Sequence, residues 1–214
     1  MFNPYLFIKN QFSSMKRFYN LIVLLFMLPV FLQAQTATIG AGSSTGATGD
    51  NAGPIYRSSA TSSFDFSQHY YLFTAAELSA AGITAGSTIS SIAWNKTNAF
   101  GTAAANTTSI WKVYLKNTST APSAAWSSSS FATQSAGATL VYNNTSQAIP
   151  TTTGYITLTF STPFVYTGGS LEVGDSWDCS IFSGNPTTGG FAWSRDASTN
   201  QVFGSSNRDG RAHV

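Results

Sequence analysis

A serine near the start of the polar part of the chain lies in a pattern used for nucleophilic catalysis. Gly42-Ser43-Ser44-Thr45-Gly46 matches Gly-x-Ser-x-Gly, in which a serine on a strained turn attacks an acyl group. That chemistry requires a strand before the serine, a helix after it and a histidine base. Here a Gly/Ser/Ala-rich loop follows, His213 is next to the last residue, and His69 falls inside a predicted strand. We therefore predict that Ser44 is not catalytic.

Three carboxylates in one segment suggest acid–base chemistry of the glycosidase type. Asp175 and Asp178 are three residues apart, so an extended strand directs them to opposite faces. Glu172 and Asp178 share a face but are separated by about 20 Å of strand, beyond the ~5–9.5 Å that glycoside hydrolysis uses. We expect Asp178 to hydrogen-bond a neighbouring loop, and we predict no catalytic residues.

Candidate metal ligands are sparse. Asp50-Asn51 could offer oxygen atoms to calcium, but that ion takes six or more ligands, and both side chains also favour Asx turns. This leaves calcium near Asp50 an open alternative. The single cysteine, Cys179, excludes an internal disulfide or a thiolate zinc site and is predicted to be a buried thiol. We predict no metal and no cofactor.

Two aromatic residues are the candidate ligand-binding residues. Tyr114 lies between Lys112 and Lys116, and Tyr155 lies among threonines. The alternation of their strands directs both rings outward, where a tyrosine can stack on a sugar ring or contact a protein.

The elements that position these residues are predominantly strands. Tyr155–Phe160 alternates Ile156, Leu158 and Phe160 with polar residues, which is typical of a half-buried strand. The same period of two occurs in Ile110–Lys116 and in Leu171–Phe182, where Glu172, Gly174, Ser176 and Asp178 are predicted to lie opposite the apolar face. Further strands are predicted at Ala37–Gly40, Gln68–Phe73, Thr88–Lys96, Ala138–Asn143, Gly190–Arg195 and Gln201–Phe203.

One helix is predicted with a defined start and end. Thr74-Ala75-Ala76-Glu77 is a capping box, and Gly82 can take the left-handed position at the helix C-terminus. A second helical turn is possible around Pro122–Trp126. Many short strands separated by turn residues predict an all-β fold, an antiparallel β-sandwich of jelly-roll-like type with one short capping helix.

The first 34 residues have the pattern of a targeting signal. Basic Lys16-Arg17 precedes the apolar run Leu21–Leu28, a proline and then small Ala34, so we predict a signal peptide over 1–34 with Gln35 as the new N-terminus. The 12 residues of Leu21–Leu32 are too few for a bilayer span, which takes about 20. Residues 1–14 precede a better start at Met15, as in an over-long gene start. The β-sandwich module is then 35–214.

Removal of this segment changes the charge of the chain. The formal net charge is +2, from 10 basic and 8 acidic residues. Lys9, Lys16 and Arg17 lie in the signal, so seven basic residues remain against eight acidic ones. The remaining basic residues are scattered rather than clustered, which argues against nucleic acid as a partner. A charged fraction of only 8% also argues against a solvated helical bundle.

Several blocks of the sequence resemble a recurrent extracellular module found near the N-terminus of large exported proteins of Gram-negative bacteria with a type IX secretion system. The likeness extends over about 36–214. The blocks that carry it are Asn51–Arg57, Leu72–Gly86, Ile89–Thr97, Tyr155–Val173 and Trp177–Trp193.

The resemblance implies secretion or display at the cell surface, and it carries over no catalytic residues. Relatives of the module commonly precede fibronectin-type, adhesin-like or peptidase domains and a C-terminal sorting domain. The last residues, Arg208–Val214, fall where the last strand of the module would lie, so we expect the module to be truncated there.

The sequence therefore predicts a non-enzymatic module for adhesion, for binding a surface glycan or protein, or for spacing within a larger exported protein. Its expected partners are that ligand and the export machinery, with no membrane span left after signal cleavage. The alternative is an accessory unit, carbohydrate-binding or prodomain-like, of a secreted hydrolase whose catalytic domain is missing.

Overall fold

The computed structural model of the chain describes residues 35–42, 44–45, 53–55, 57–58, 66–101, 109–127, 130–179, 189–196 and 201–206. The chain divides into two units, Met1–Ala37 and Thr38–Val214. Only 35–37 of the first unit are described, so the predicted signal peptide over 1–34 lies outside the described residues. Every strand and helix below belongs to the second unit.

The described elements are short strands with three short helices between them. The helices are α1 (Ala75–Ala80), α2 (Ala124–Ser127) and α3 (Phe131–Ser135). The strands, in chain order, are β1 (Ser44–Thr45), β2 (Arg57–Ser58), β3 (Phe66–Phe73), β4 (Thr88–Lys96), β5 (Ile110–Thr118), β6 (Thr139–Asn144), β7 (Gly154–Val165), β8 (Ser170–Asp178), β9 (Gly189–Gly190), β10 (Ser194–Arg195) and β11 (Val202–Ser206).

Two main antiparallel sheets form the framework. The larger has five strands in the order β11-β3-β8-β5-β6, and the second pairs β4 with β7. Two small pairings, β1 with β10 and β2 with β9, join early and late parts of the chain. The predicted all-β, antiparallel, sandwich-like fold is confirmed.

The main core lies between the two sheets. It combines Trp111, Val113 and Trp177 of the larger sheet with Ile156 and Leu158 of β7, all of them buried. Aromatic rings connect the layers, since the rings of Trp94 and Trp111 stack with centroids 5.8 Å apart and Trp111 meets Trp177 edge-on at the same separation. Burial of this apolar surface is the main stabilising contribution.

Helix α1 forms as its capping box predicts. The Thr74 hydroxyl accepts a hydrogen bond from the Glu77 backbone N–H at 3.3 Å, and the Glu77 carboxylate accepts one from the Thr74 N–H at 2.7 Å. At the other end the Gly82 N–H donates to Ser79 and the Ile83 N–H donates to Leu78, which is a Schellman arrangement. The helical turn predicted near Pro122–Trp126 is α2.

Three sequence-based predictions need correction. No strand occurs at Ala37–Gly40, because Gly40 has φ +83°, incompatible with an extended strand, and Asp196 accepts hydrogen bonds from the following two N–H groups. Gly190–Arg195 is not one strand but parts of β9 and β10. The predicted half-buried strand over Leu171–Phe182 is instead buried on both faces throughout Ser170–Trp177.

Candidate binding face

The outer face of the β4–β7 sheet is the candidate functional site, and we call it the open face. It consists of three cross-strand pairs, each with one residue from each strand. Five of the six residues are exposed and the sixth, Asn95, is half-buried. The pairs are Asn95 with Tyr155, Ala93 with Thr157, and Ser91 with Thr159.

The buried residues of β7 fix the direction of the outward ones. Ile156, Leu158 and Phe160 are at most 8% exposed and belong to the main core. Successive side chains in a strand point to opposite faces, so the alternating positions, Tyr155 and Thr157 among them, are held outward. The direction of Tyr155 therefore follows from packing on the other side of its strand.

The open face offers hydrogen-bonding groups and one large ring but no charge. Tyr155 is 66% exposed, the highest value among the exposed large hydrophobic residues of the described chain. Hydroxyls of Ser91, Thr157 and Thr159 and the amide of Asn95 can each donate and accept hydrogen bonds. None of the six side chains is ionisable near neutral pH. Chemically, the face can stack and hydrogen-bond but cannot transfer a proton at neutral pH.

The outer face of the five-stranded sheet is covered, and we call it the capped face. Helices α2 and α3 lie over it and contribute Trp126 and Phe131 to a second apolar cluster with Tyr70 and Leu72. The ring centroid of Phe131 lies 5.0 Å from that of Tyr70. This cover explains why β8 is buried on both faces.

A charged network holds the cover of the capped face in place. The Lys116 ammonium lies 2.6 Å from the Glu172 carboxylate and donates to the Gln134 carbonyl at 2.7 Å. The Trp126 indole N–H donates to the other Glu172 oxygen at 3.2 Å. Glu172 is only 1% exposed, so its charge is stabilised by these partners and not by water. Sequence alternation placed Glu172 on a solvent-facing side, and that expectation is wrong.

The two predicted ligand-binding tyrosines lie on different sheets. Tyr155 is on the open face, whereas Tyr114 is half-buried on the capped face, where its ring meets Phe131 edge-on at 5.9 Å. Burial raises the pKa of the Tyr114 hydroxyl. The structure therefore does not bring the two residues together, and the binding role of each stays a prediction.

An imidazole–carboxylate pair lies in the main core and was not predicted. His69 and Asp175 face each other across β3 and β8, with Nδ1 and Oδ1 3.7 Å apart and both side chains 0% exposed. Burial raises the pKa of the Asp175 carboxyl to about 6, and the imidazole opposes this rise. The pair resembles general acid–base groups in type, but full burial keeps it from touching a substrate.

The hydroxyl of Tyr71, close to this pair along β3, is also buried. Burial is the larger cause that raises the pKa of this hydroxyl, and the charge of Asp175 is the smaller one. Sequence patterns placed both His69 and Asp175 in strands but predicted no contact between them. The register that pairs them was not available from the sequence.

The other candidate residues that the structure describes add no reactive cluster. Ser44 lies in strand β1 opposite Arg195, while the residues that would form the required helix, 46–52, are outside the described residues. Asp50-Asn51 and His213 are also outside them. Cys179 is a buried thiol, as predicted. Across the described ranges, no three His, Cys, Asp or Glu side chains come together as metal ligands.

The helices of the described residues have four to six residues each. None of them is long and apolar enough to cross a bilayer.

Scans against protein-family models, curated proteins and solved structures found no match to this chain.

Proposed function

We propose that the chain is a non-catalytic module of a secreted or cell-surface protein and that it binds its ligand through the open face. The observation that carries the proposal is the contrast in exposure between its reactive and its binding groups. His69, Asp175 and Glu172 are 0–1% exposed, whereas Tyr155 is 66% exposed in a row of hydroxyl and amide side chains.

The non-catalytic part of the proposal rests on access. A general acid, base or nucleophile must come within hydrogen-bond reach of its substrate. Lys116–Glu172 and His69–Asp175 are two ionisable pairs within the described residues, and each contains at least one almost fully buried member. These pairs connect strands and helices to one another, and this structural role accounts for them without a catalytic one.

The binding part rests on the composition of the open face. A tyrosine provides a large contact area at low conformational cost, and adjacent hydroxyls supply adaptable hydrogen bonds. The experiment is to display 35–214 on a glycan array and a surface-protein array, with Tyr155→Ala in parallel. We expect a signal that falls at least about tenfold in the variant. Signals equal for both proteins on both arrays would disprove binding through this face.

A control variant separates the ring from general effects on the surface. Val165→Ala changes another exposed residue of β7, 52% exposed, at the far end of the strand. We expect this variant to keep the wild-type signal. Tyr114→Phe, which keeps the ring that packs on Phe131, tests the other predicted binding residue on the same arrays.

Export is proposed from the signal pattern over 15–34 and from the sequence blocks that resemble the type IX module. N-terminal sequencing of protein recovered from the medium or the cell surface of an expressing host tests it. We expect the first residue to be Gln35. A chain that stays inside the cell with residues 15–34 attached would overturn this part of the proposal.

A further inference from the structure

The chemistry of the open face narrows its ligand to one class. We infer that it takes an extended, uncharged glycan chain lying along β7, with Tyr155 stacking on one sugar ring and Asn95, Thr157, Ser91 and Thr159 hydrogen-bonding to hydroxyls. This inference rests on the proposed function and specifies its ligand.

Absence of charge on the face is the first step of the argument. The six residues of the open face carry no ammonium, guanidinium or carboxylate group. A uronic acid chain, a sulfated glycan or a phosphate backbone is bound mainly through cationic side chains, and its affinity depends strongly on salt. An uncharged polyhydroxylated ligand has no such requirement, because neutral hydroxyl and amide groups satisfy it.

Shape and length are the second step. The face is a regular two-stranded surface over Ser91–Lys96 and Gly154–Thr159, with the register irregularity confined to the segment beyond Ser91. From Tyr155 to Thr159 the strand rises about 13 Å. Such a strip is longer than a single sugar ring, so it suits a section of a chain. Ala93 in the middle leaves room between the polar positions.

The balance of apolar and polar groups is the third step, and it favours a glycan over a protein. Protein interfaces are centred on several buried apolar or aromatic anchors. The open face has one aromatic ring, one alanine and four hydrogen-bonding side chains. A pyranose presents hydroxyls around an apolar ring face, and that combination matches this surface.

The experiment measures binding of purified 35–214 to soluble neutral glycans (laminarin, mannan, cello-oligosaccharides) and acidic ones (alginate, hyaluronan, heparin) by affinity electrophoresis and calorimetry. We expect binding to at least one neutral glycan, with an affinity that changes less than about twofold between low and high salt. Tyr155→Ala should weaken it at least about tenfold, and Tyr155→Phe should retain it within about threefold. Asn95→Ala should weaken it by about threefold to tenfold through loss of hydrogen bonds.

The alternative outcomes separate this inference from the proposed function. Tyr155-dependent binding to an acidic glycan, or to a protein from the array, would overturn the neutral-glycan inference and leave binding through the open face intact. Binding to neutral glycans that Tyr155→Ala and Asn95→Ala leave unchanged would place the site elsewhere and overturn both. No Tyr155-dependent binding to any glycan or arrayed protein would also overturn both. Val165→Ala and thermal melts of every variant control for surface and folding effects.

Discussion

The two outer sheet faces of this molecule differ in what covers them and in what they carry. The capped face of the five-stranded sheet lies under α2 and α3 and holds a lysine–glutamate pair and an aromatic cluster. The open face of β4–β7 has no side chain that is ionisable near neutral pH and presents hydroxyls, one amide and one tyrosine ring. The comparison teaches that the charged pair described on the capped face serves internal attachment, whereas the open face presents only groups that are neutral near pH 7.

The largest expected effect on stability comes from removing the Glu172 charge that anchors helices α2 and α3 to the capped face. Glu172→Ala removes the counter-charge of the Lys116 ammonium, which keeps only the Gln134 carbonyl, and the acceptor of the Trp126 indole, so we expect a loss of about 3 kcal/mol in unfolding free energy. Urea unfolding measures it.

Two further variants separate charge from packing at the same position. Glu172→Gln keeps an acceptor for the indole and should lose less stability than Glu172→Ala. Combining Glu172→Ala with Lys116→Met should restore part of the loss, since no unpaired charge remains. An alanine variant as stable as the wild type would show that the pair does not hold the cover.

The next largest effect on stability is expected at Gly174, a tightly packed position of the capped face. A Cβ at Gly174 would lie 2.3 Å from Cζ of Tyr70, whose side chain is fully buried. We expect Gly174→Ala to cost about 2 kcal/mol by forcing that ring to move. In a Tyr70→Leu background the same substitution should cost clearly less, and equal costs in both backgrounds would contradict the contact.

The buried pair on the inner side of the larger sheet should produce a smaller effect that depends on pH. The folded pKa of Asp175, about 6, lies above its ordinary value of 3.8, so the folded state holds this proton more tightly than the unfolded chain does. The contribution of this carboxyl to the unfolding free energy is therefore complete below about pH 4 and is lost as the pH rises through about 6. Relative to Asp175→Asn, the wild type should gain stability when the pH falls from 6 to 4.

A second variant checks the sign of the Asp175 prediction. The imidazole of His69 lowers the pKa of Asp175, so His69→Gln should move the pH window upward. Chemical unfolding at several pH values gives both curves. An unchanged window, or a wild type that loses stability relative to Asp175→Asn on acidification, would contradict the assignment.

The smallest effects on stability are expected on the open face. Tyr155→Ala and Thr157→Ala remove exposed side chains with their core-side neighbours intact, so each should change the unfolding free energy by less than about 0.5 kcal/mol. The same urea titration measures this. Losses above 1 kcal/mol would mean that the face contributes to folding, and the contrast with the capped face would weaken.

Local sequence patterns were sufficient to predict part of this structure. Thr88–Lys96 was predicted with the bounds that the structure shows, and α1 formed where its capping box indicated. The outward direction of Tyr155 followed from the alternation of β7. Each of these features depends on neighbours within a few residues along the chain, which is the range that a sequence pattern describes.

The parts that sequence reasoning missed depend on distant partners. Glu172 alternates with apolar residues as a solvent-facing glutamate would, yet its indole donor, Trp126, lies 46 positions away in the sequence. Helix α3 offers only a weak signal, a Ser130 cap with no glutamate and little apolar periodicity. The pairing of His69 with Asp175 needs the register of two strands about a hundred residues apart, which no local pattern contains.

The attachment of the N-terminal part of the second unit has a consequence for how the chain folds. The Ala41 and Gly42 N–H groups donate to the Asp196 carboxylate at 2.6 and 3.2 Å, and β3 pairs with β11 at the far end of the sequence. Contacts of such sequence separation form late and make folding slow, because a long loop must close before they contribute. A chain emerging from the ribosome therefore cannot complete this fold until residue 206 has been synthesised, so β3 stays without its β11 partner for most of the time that the chain is being made.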